Sequence, residues 1–144
     1  MKNDINIEVA DWVNEKHLLM QVRTKVFIEE QQVPAELELD DQDATSTHIK
    51  AVISGGKVIG TARLLTDYSI GRMCVLKEYR NTGVGSQLLT FFIDLARSKR
   101  FTYVQLNAQL CALAFYQKFG FTQDTEVFKE AGIDHVHMVL PLKQ

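Results

Sequence analysis

Arg80-Asn81-Thr82-Gly83-Val84-Gly85-Ser86 is the stretch around which the chain is organised. The sequence predicts a strand over 70–77 before it and a helix over 84–98 after it. Two glycines at the start of a helix let the backbone approach a ligand closely. The unpaired amides of a first helical turn and its partial positive charge attract anions. The stretch is therefore a candidate phosphate site, with Arg80 as a planar cation beside it.

Two well-known phosphate loops do not fit this stretch. A Walker A loop requires Gly-Lys-Ser or Gly-Lys-Thr, which the sequence lacks. A dinucleotide fingerprint requires a third glycine where Leu88 stands. Two interpretations stay open: a phosphate loop of the pattern Arg-x-x-Gly-x-Gly, and a plain turn whose glycines serve only its geometry.

Length and composition are typical of one globular domain over residues 1–144, with 46% apolar and 24% charged residues. A net charge of −2 argues against general nucleic-acid binding. No apolar run approaches the roughly 18 residues of a membrane span, and the first residues do not resemble a signal peptide. Cys74 and Cys111 form no disulfide framework or metal-ligand spacing. We therefore expect a cytoplasmic protein with no nucleic-acid or membrane partner.

Apolar periodicity predicts the order β-α-β-β-β-α-β-α-β-β. Gly55-Gly56 indicates a hairpin, and Gly120 a helix C-terminus. This order favours an α/β (α+β) sandwich with a mixed sheet. The predicted strands are 5–9, 47–54, 57–66, 70–77, 101–107, 121–128 and 133–140, and the predicted helices are 12–30, 84–98 and 108–119.

Two acidic features are candidates for function. The face of the first helix continues to Glu29, with Glu30 on its flank, and a carboxylate there can have a raised pKa and act as a base. The alternative is a solvated helix end. The run Glu36–Asp43 has five carboxylates in eight residues. It is interpreted as a solvated loop, as an acidic lip that attracts a cationic amine, or as a calcium loop, although it lacks EF-hand spacing.

A second motif, Ala112–Phe121, reads Ala-Leu-Ala-Phe-Tyr-Gln-Lys-Phe-Gly-Phe. With the glycine loop, it resembles the Gcn5-related N-acetyltransferase (GNAT) family in the order and spacing of both motifs. By itself it is equally typical of an aromatic helix face packed on a sheet. Other segments resemble the ElaA-like branch of the family: Arg23–Pro34, Glu38–Asp43, Gly60–Leu64, Gly71–Val75, Leu106–Gln109 and Gly132–Met138. Asn81 departs from the glycine that many members carry, and asparagine tolerates left-handed backbone.

The resemblance implies a central, mixed, mostly antiparallel sheet of about seven strands, flanked by helices and splayed between the fourth and fifth strands. Acetyl-CoA would lie in that cleft, with its pantetheine arm paired like an added strand. The cofactor-binding residues that the resemblance implies are Cys74, Val75, Leu76, Arg80, Asn81, Thr82, Gly83, Val84, Gly85, Ser86, Asn107 and Tyr116.

The resemblance also places Tyr116 beside the coenzyme sulfur. A thiol pKa of about 8.5 and a phenol pKa of about 10 suit Tyr116 as an acid for the leaving thiolate. A backbone N–H near Val75 is a candidate oxyanion donor. Glu30 is the predicted catalytic base. Glu29, His48, His137 and a water chain remain alternatives, although His48 also fits an edge position.

The predicted function is N-acetyl transfer from acetyl-CoA to a primary amine of a small or peptide acceptor. The acidic run favours a cationic acceptor. A non-catalytic module that binds or senses CoA is the alternative, and Tyr116 favours the enzyme. His135 and His137 share a strand face but have no third ligand in view, so no metal is expected. A homodimer through the C-terminal strands is also considered.

Overall fold

Two antiparallel sheets meet at one parallel bridge in a computed structural model that describes residues 4–143. The first sheet has the strand order β1–β2–β3–β4. In chain order these are β1 (Asn6–Ala10), β2 (Thr47–Ile53), β3 (Lys57–Leu64) and β4 (Ile70–Val75).

The second sheet is built around its last strand. It contains β5 (Tyr103–Gln109), β6 (Thr122–Gln123), β7 (Phe128–Glu130) and β8 (Ile133–Pro141). β8 pairs antiparallel with the other three. Among the described residues, β4 and β5 do not pair along their length, and the bridge between the sheets joins Ser69, just before β4, to Gln105 of β5. The predicted splay between the fourth and fifth strands is thereby confirmed, and the strand edges beyond the bridge border a cleft.

The described residues form four α-helices: α1 (Trp12–Arg23), α2 (Ala35–Glu38), α3 (Val84–Ser98) and α4 (Leu113–Lys118). A π-helical segment, Thr24–Glu30, follows α1, and short 3-10 turns occupy Asp43–Thr45, Lys77–Tyr79 and Leu110–Ala112. Within residues 4–143, no helix has the length and apolar character needed to cross a membrane.

Helix α3 is fixed by its buried face, which packs on β2, β3, β4 and β5. Burying one large aliphatic or aromatic side chain contributes about 1.5–3 kcal/mol. This packing holds the start of α3 beside the end of β4, where residues 80–86 connect them. The buried residues of α3 are Val84, Leu88, Leu89, Phe92, Ile93 and Ala96.

The first helix differs from the prediction of one α-helix over 12–30. From Thr24 the backbone widens to π-helical pairing, as in the bond from Gln31 N to Val26 O at 3.0 Å. A wider turn rotates every later side chain around the axis, so the period that pointed to Glu29 no longer applies. Phe27 and Gln31 instead reach the cleft.

Two predicted strands were too long, the strand before the glycine loop and the strand over 121–128. β4 ends at Val75 because the 3-10 turn Lys77–Tyr79 follows it. The predicted strand over 121–128 is two short strands, β6 and β7. Between them Asp124 N donates to His137 O, and Thr125 Oγ1 accepts from His137 N. Loop residues therefore hydrogen-bond the backbone of β8 at this position.

Replacing Gly60 with alanine is expected to lower the free energy of unfolding by about 1–3 kcal/mol, the usual range for overpacking. A Cβ at Gly60 would lie 3.1 Å from Cys74 O and 3.2 Å from Val84 Cγ1, where α3 meets the sheet. Urea unfolding measures the loss. Gly71→Ala is the matched control, because its Cβ would come no closer than 3.9 Å to Arg63 Nε. Equal midpoints for both variants would contradict the close approach at Gly60.

Candidate functional site

The cleft at the splay has two halves. The loop half, of about 530 Å³, includes residues of the glycine loop and of β4 in its lining. The inner half, of about 410 Å³, is bordered by β5, β8 and the end of β7. Four residues line both halves: Gln31, Met73, Ala112 and Tyr116. Tyr116 therefore stands where a molecule in one half would meet a molecule in the other.

The glycine loop has the backbone that an anion site requires. Gly83 precedes α3 with φ +91°, a left-handed conformation that glycine adopts without strain. Asn81 is also left-handed, at φ +64°. The first helical bond of α3 runs from Gln87 N to Gly83 O, at 3.0 Å. The amides of residues 84–86 therefore have no intrahelical acceptor and are free for a ligand.

Arg80 holds the end of β4 and the end of the π-helical segment together. Its Nε donates to Val75 O at 2.9 Å, and its Nη2 donates to Glu30 Oε1 at 2.8 Å, with Nη1 on Glu30 Oε2. This hydrogen bonding lowers the pKa of Glu30. A carboxylate with a lowered pKa is a weaker base, so the pairing disfavours the base role predicted for Glu30.

The edge of β4 offers backbone groups to the loop half. Leu76 N donates to Ile59 O of β3 at 2.8 Å. Because backbone groups alternate sides along a strand, the N–H and C=O of Val75 face away from β3. Thr61 pairs with Cys74 and Arg63 pairs with Gly71. One residue on β3 therefore lies opposite two on β4, so β4 contains a bulge. Bulges often occur beside functional sites.

Cys74 behaves as a packing residue. Its side chain is buried, and burial raises the pKa of its thiol to about 12. Its sulfur lies 3.4 Å from Thr61 Oγ1. A thiol with so high a pKa is protonated at neutral pH and is a poor nucleophile.

Tyr116 is positioned by aromatic contacts and keeps its hydroxyl free. Its ring packs edge-on against Phe115 at 5.1 Å and against Phe121 at 5.9 Å. Within residues 4–143 the hydroxyl forms no hydrogen bond. Burial raises the pKa of Tyr116 to about 12, so the hydroxyl keeps its proton and can donate a hydrogen bond to a ligand.

Most predicted cofactor residues lie in the loop half, and four do not line it. Leu76 and Val84 are buried behind it. Thr82 turns its hydroxyl to Tyr79 O. Asn107 lines the inner half and donates weakly to Glu130 Oε1, at 3.5 Å. Those lining the loop half are Cys74, Val75, Arg80, Asn81, Gly83, Gly85, Ser86 and Tyr116.

Two other candidate bases lie away from the cleft. Glu29 lines a separate groove with His17 and Lys57. His48 is buried on an inner strand, not at the edge position predicted for it. Its ring stacks on Trp12 with centroids 4.6 Å apart, and its Nε2 contacts Asp43 O at 2.8 Å.

His137 also lacks a free nitrogen. Nδ1 contacts Asp124 Oδ1, and Nε2 contacts Gln105 Oε1 at 2.8 Å. The Gln105 amide nitrogen donates to Asp67 O at 2.7 Å, which fixes its oxygen toward His137. Both ring nitrogens therefore already contact another side chain, and neither is open to a substrate.

The acidic run is solvated at Glu36 and Asp41 but is paired at its other three carboxylates. Glu38 and Asp43 are buried. Arg23 donates to Glu38 at 2.7 Å and to Asp43 at 2.9 Å. Arg63 bonds both Asp43 and Asp40. Long-range arginines thus neutralise three of the five carboxylates of the run, which weakens the argument that the run attracts an amine.

Arg72 completes this arginine–carboxylate cluster, which consists of Arg23, Arg63, Arg72, Glu38, Asp40 and Asp43. Its Nε lies 3.2 Å from Glu38 Oε2, and its Nη2 lies 3.3 Å from Asp40 Oδ2. Three cations face three anions, so the cluster is neutral as a whole. Asp40, Arg63 and Arg72 form part of the wall of the inner half.

Two residues of the inner half were missed by sequence reasoning, His135 and Glu130. The sequence pattern indicated His135 only as a candidate metal ligand. In the part of the chain that the structure describes, there is no group of three His, Cys, Asp or Glu side chains that could hold a metal. The Glu130-Ala131-Gly132 turn and the His-x-His pattern were the available signals.

Comparisons with known proteins agree with this arrangement. The model of the acetyltransferase (GNAT) domain matches residues 10–142. The uncharacterized N-acetyltransferase YjcF of Bacillus subtilis is 38% identical over 122 residues, 82% of this chain and 86% of that protein. Protein ElaA of Escherichia coli is 31% identical over 133 residues, 88% of this chain and 87% of that protein.

Solved structures show the same fold. The crystal structure of E. coli ElaA superposes with a TM-score of 0.83 at 30% identity, covering 94% of this chain and 99% of that chain. An acyl-CoA N-acyltransferase from Pseudomonas aeruginosa superposes with a TM-score of 0.82 at 31% identity, covering 96% and 99%.

Proposed function

Because the chain belongs to the acetyltransferase (GNAT) family, we propose that it transfers an acetyl group from acetyl-CoA directly to a primary amine. The observation that carries the proposal is the placement of Tyr116. One side chain with a free hydroxyl lies between a half lined by an anion-binding loop and a second half with room for an acceptor.

In this proposal the loop half takes the coenzyme. The free amides of residues 84–86 and the guanidinium of Arg80 bind the pyrophosphate. The free edge of β4 pairs with the pantetheine arm, and the N–H of Val75 faces the carbonyl oxygen of the thioester. Tyr116 donates a hydrogen bond to the sulfur that leaves.

Glu30 takes a different role from the one predicted for it. Its carboxylate accepts two hydrogen bonds from the guanidinium of Arg80, the group proposed to bind phosphate. We propose that it is a counter-ion that positions Arg80 in the ligand-free enzyme. Pyrophosphate then competes with Glu30 for the same donors.

Isothermal calorimetry with acetyl-CoA tests the coenzyme site. Arg80→Ala is expected to raise the Kd about 10- to 100-fold, since hydrogen bonds to charged groups are worth about 1.5–3 kcal/mol. Glu30→Gln is the matched variant, because it breaks the same ion pair while keeping Arg80. It is expected to bind acetyl-CoA at least as tightly as the wild type.

The same two variants separate the roles of Glu30. If Glu30 were the base, Glu30→Gln would keep its affinity and lose about 10²–10⁴-fold in kcat. A wild-type protein that does not bind acetyl-CoA would refute the proposed function.

A non-catalytic CoA-binding module is the second candidate function. It shares the loop half but has no use for the free hydroxyl of Tyr116. Release of free thiol from acetyl-CoA distinguishes the two, in a screen of primary amines that covers aliphatic monoamines, diamines, amino acids and peptides. Thiol release that depends on an added amine supports the enzyme, and binding without release from any amine supports the module.

A further inference from the structure

The imidazole of His135 is held in one tautomer. Its Nδ1 lies 2.7 Å from the carbonyl oxygen of Ile133, on the same strand. A carbonyl oxygen can only accept a hydrogen bond, so Nδ1 carries the proton. In a neutral imidazole the lone pair is then on Nε2. The contact therefore fixes which nitrogen of His135 can accept a proton.

The Nε2 of His135 belongs to the cleft. His135 lines the inner half together with Tyr116. Within residues 4–143 its Nε2 forms no hydrogen bond, and Glu130 Oε2 lies 3.6 Å from it. The Phe128 ring stacks on the imidazole with centroids 6.1 Å apart and holds its plane. A buried, oriented imidazole thus presents a lone pair to the proposed acceptor half.

A two-residue hairpin sets the position of Glu130. Glu130 ends β7 opposite Ile133 of β8, and both turn residues are left-handed, Ala131 at φ +52° and Gly132 at φ +78°. Such a turn matches the twist of an antiparallel pair and fixes its register. The Glu130 carboxylate is thereby held beside His135, with Asn107 Nδ2 at 3.5 Å as its other contact.

The other charged groups near His135 are paired with one another. Glu38 and Arg72 share a pocket with His135 and belong to the arginine–carboxylate cluster. Asp40 and Arg63, also in the inner half, bond each other. The neighbours on β8 are paired too, Asp134 with Lys129 and His137 with Asp124. Among the described residues of the inner half, Glu130 is the carboxylate that no arginine or lysine neutralises.

We propose that His135 is the general base of the acetyl transfer and that Glu130 holds the acceptor ammonium beside it. This inference rests on the proposed function. A cationic acceptor is again expected, as it was from the acidic run. The group that attracts it in this proposal is Glu130.

The need for a base follows from the acceptor. With a pKa of about 10.4, only about 1 in 2,500 alkyl amines is unprotonated at pH 7. The ammonium gives one proton to His135 Nε2, and the freed electron pair attacks the thioester carbon. The C–N bond forms and the C–S bond breaks, and the sulfur leaves as a thiolate with the bonding electron pair.

The remaining protons balance as follows. The thiolate is protonated through Tyr116, which regains a proton from the nitrogen of the new amide. The His135 imidazolium, stabilised by Glu130, returns its proton to solvent. The net reaction converts acetyl-CoA and an alkyl ammonium to an N-acetyl amine, CoA thiol and one released proton.

The first test is the tautomer in the wild-type protein, measured by long-range nitrogen–proton NMR correlations of the histidine rings. In the neutral imidazole of His135 we expect Nδ1 protonated and Nε2 unprotonated. Adding n-butylammonium to the complex with CoA is expected to shift the Nε2 signal, and Glu130→Gln is expected to reduce that shift. A proton on Nε2, or an unmoved signal, would overturn the inference without any assay of activity.

The second test is the pH profile of kcat/KM with the best amine of the screen. His135→Asn keeps an amide donor for Ile133 O but has no base at the position of Nε2. It is expected to lose about 10²–10⁴-fold near pH 7. Its rate should keep rising toward the pKa of the amine, about 10.4, where the wild type has levelled off.

Controls separate this inference from folding and from the proposed function. Unchanged acetyl-CoA affinity of His135→Asn by calorimetry shows that the cleft is intact, and His137→Asn should keep the shape of the wild-type profile. Glu130→Gln is expected to lower kcat/KM about two- to fivefold, the worth of a partly exposed ion pair, and the exposed Glu126→Gln not at all. If the wild type is active and His135→Asn has the same pH profile, this inference is wrong but the proposed function stands. If the wild type does not bind acetyl-CoA, the proposed function is wrong.

Discussion

Replacing Asp43 with asparagine is expected to lower the free energy of unfolding by about 3–5 kcal/mol, the cost of breaking a buried ion pair from one side. Asp43 accepts from Arg23 at 2.9 Å and from Arg63 at 2.8 Å. All three side chains are buried. Asparagine keeps the shape and an acceptor oxygen but leaves two guanidinium groups in the interior with one negative charge fewer.

Urea denaturation at neutral pH measures this loss. Asp41→Asn is the matched control, because Asp41 lies in the same acidic run, is exposed and has no described partner. Its change should stay within about 0.5 kcal/mol. If Asp43→Asn unfolded at the same urea concentration as Asp41→Asn, the arginine–carboxylate cluster would contribute little to stability.

The glycine loop could be predicted from sequence because its signals are local. The left-handed Gly83, the asparagine tolerated at position 81 and the apolar period of α3 all lie within a few residues of one another. The predicted splay was likewise confirmed, since it follows from the order of the elements.

The acidic run could not be interpreted in the same way. Its charge pattern is identical whether or not arginines lie nearby, and its partners are distant in sequence. Arg23 lies 20 residues before Asp43 and Arg63 lies 20 residues after it. Only the pairing of β2 with β3 and the packing of α1 bring the three together.

The prediction of Glu30 as the base rested on an assumption about helix geometry that the structure does not support. Extending the helical period to Glu29 and Glu30 assumed 3.6 residues per turn, and the π-helical segment breaks that period from Thr24 onward. For His135 the decisive facts are a tautomer set by Ile133 O and a carboxylate brought across a hairpin. Sequence spacing places two histidines on one face but does not distinguish the ring with a free nitrogen from the ring without one.

Tyr116→Phe is expected to lower kcat about 10- to 10⁴-fold while leaving the affinity for acetyl-CoA almost unchanged. The substitution removes only a hydroxyl that has no hydrogen-bond partner among the described residues, and the aromatic contacts with Phe115 and Phe121 remain. Initial rates of thiol release and calorimetry measure the two effects. Tyr103→Phe, which removes the hydroxyl of an exposed tyrosine on β5, is the matched control and should keep kcat.

The pH dependence sharpens this test. Burial raises the pKa of Tyr116 to about 12, so the hydroxyl stays protonated at every pH below about 11. An acid that remains protonated produces no fall in kcat as the pH rises through 9 and 10, whereas an unperturbed phenol would begin to lose its proton there. The wild type should therefore show no decline from pH 8 to 10, and Tyr116→Phe should be slower by a constant factor across that range. A Tyr116→Phe kcat equal to that of the wild type would remove Tyr116 from the reaction.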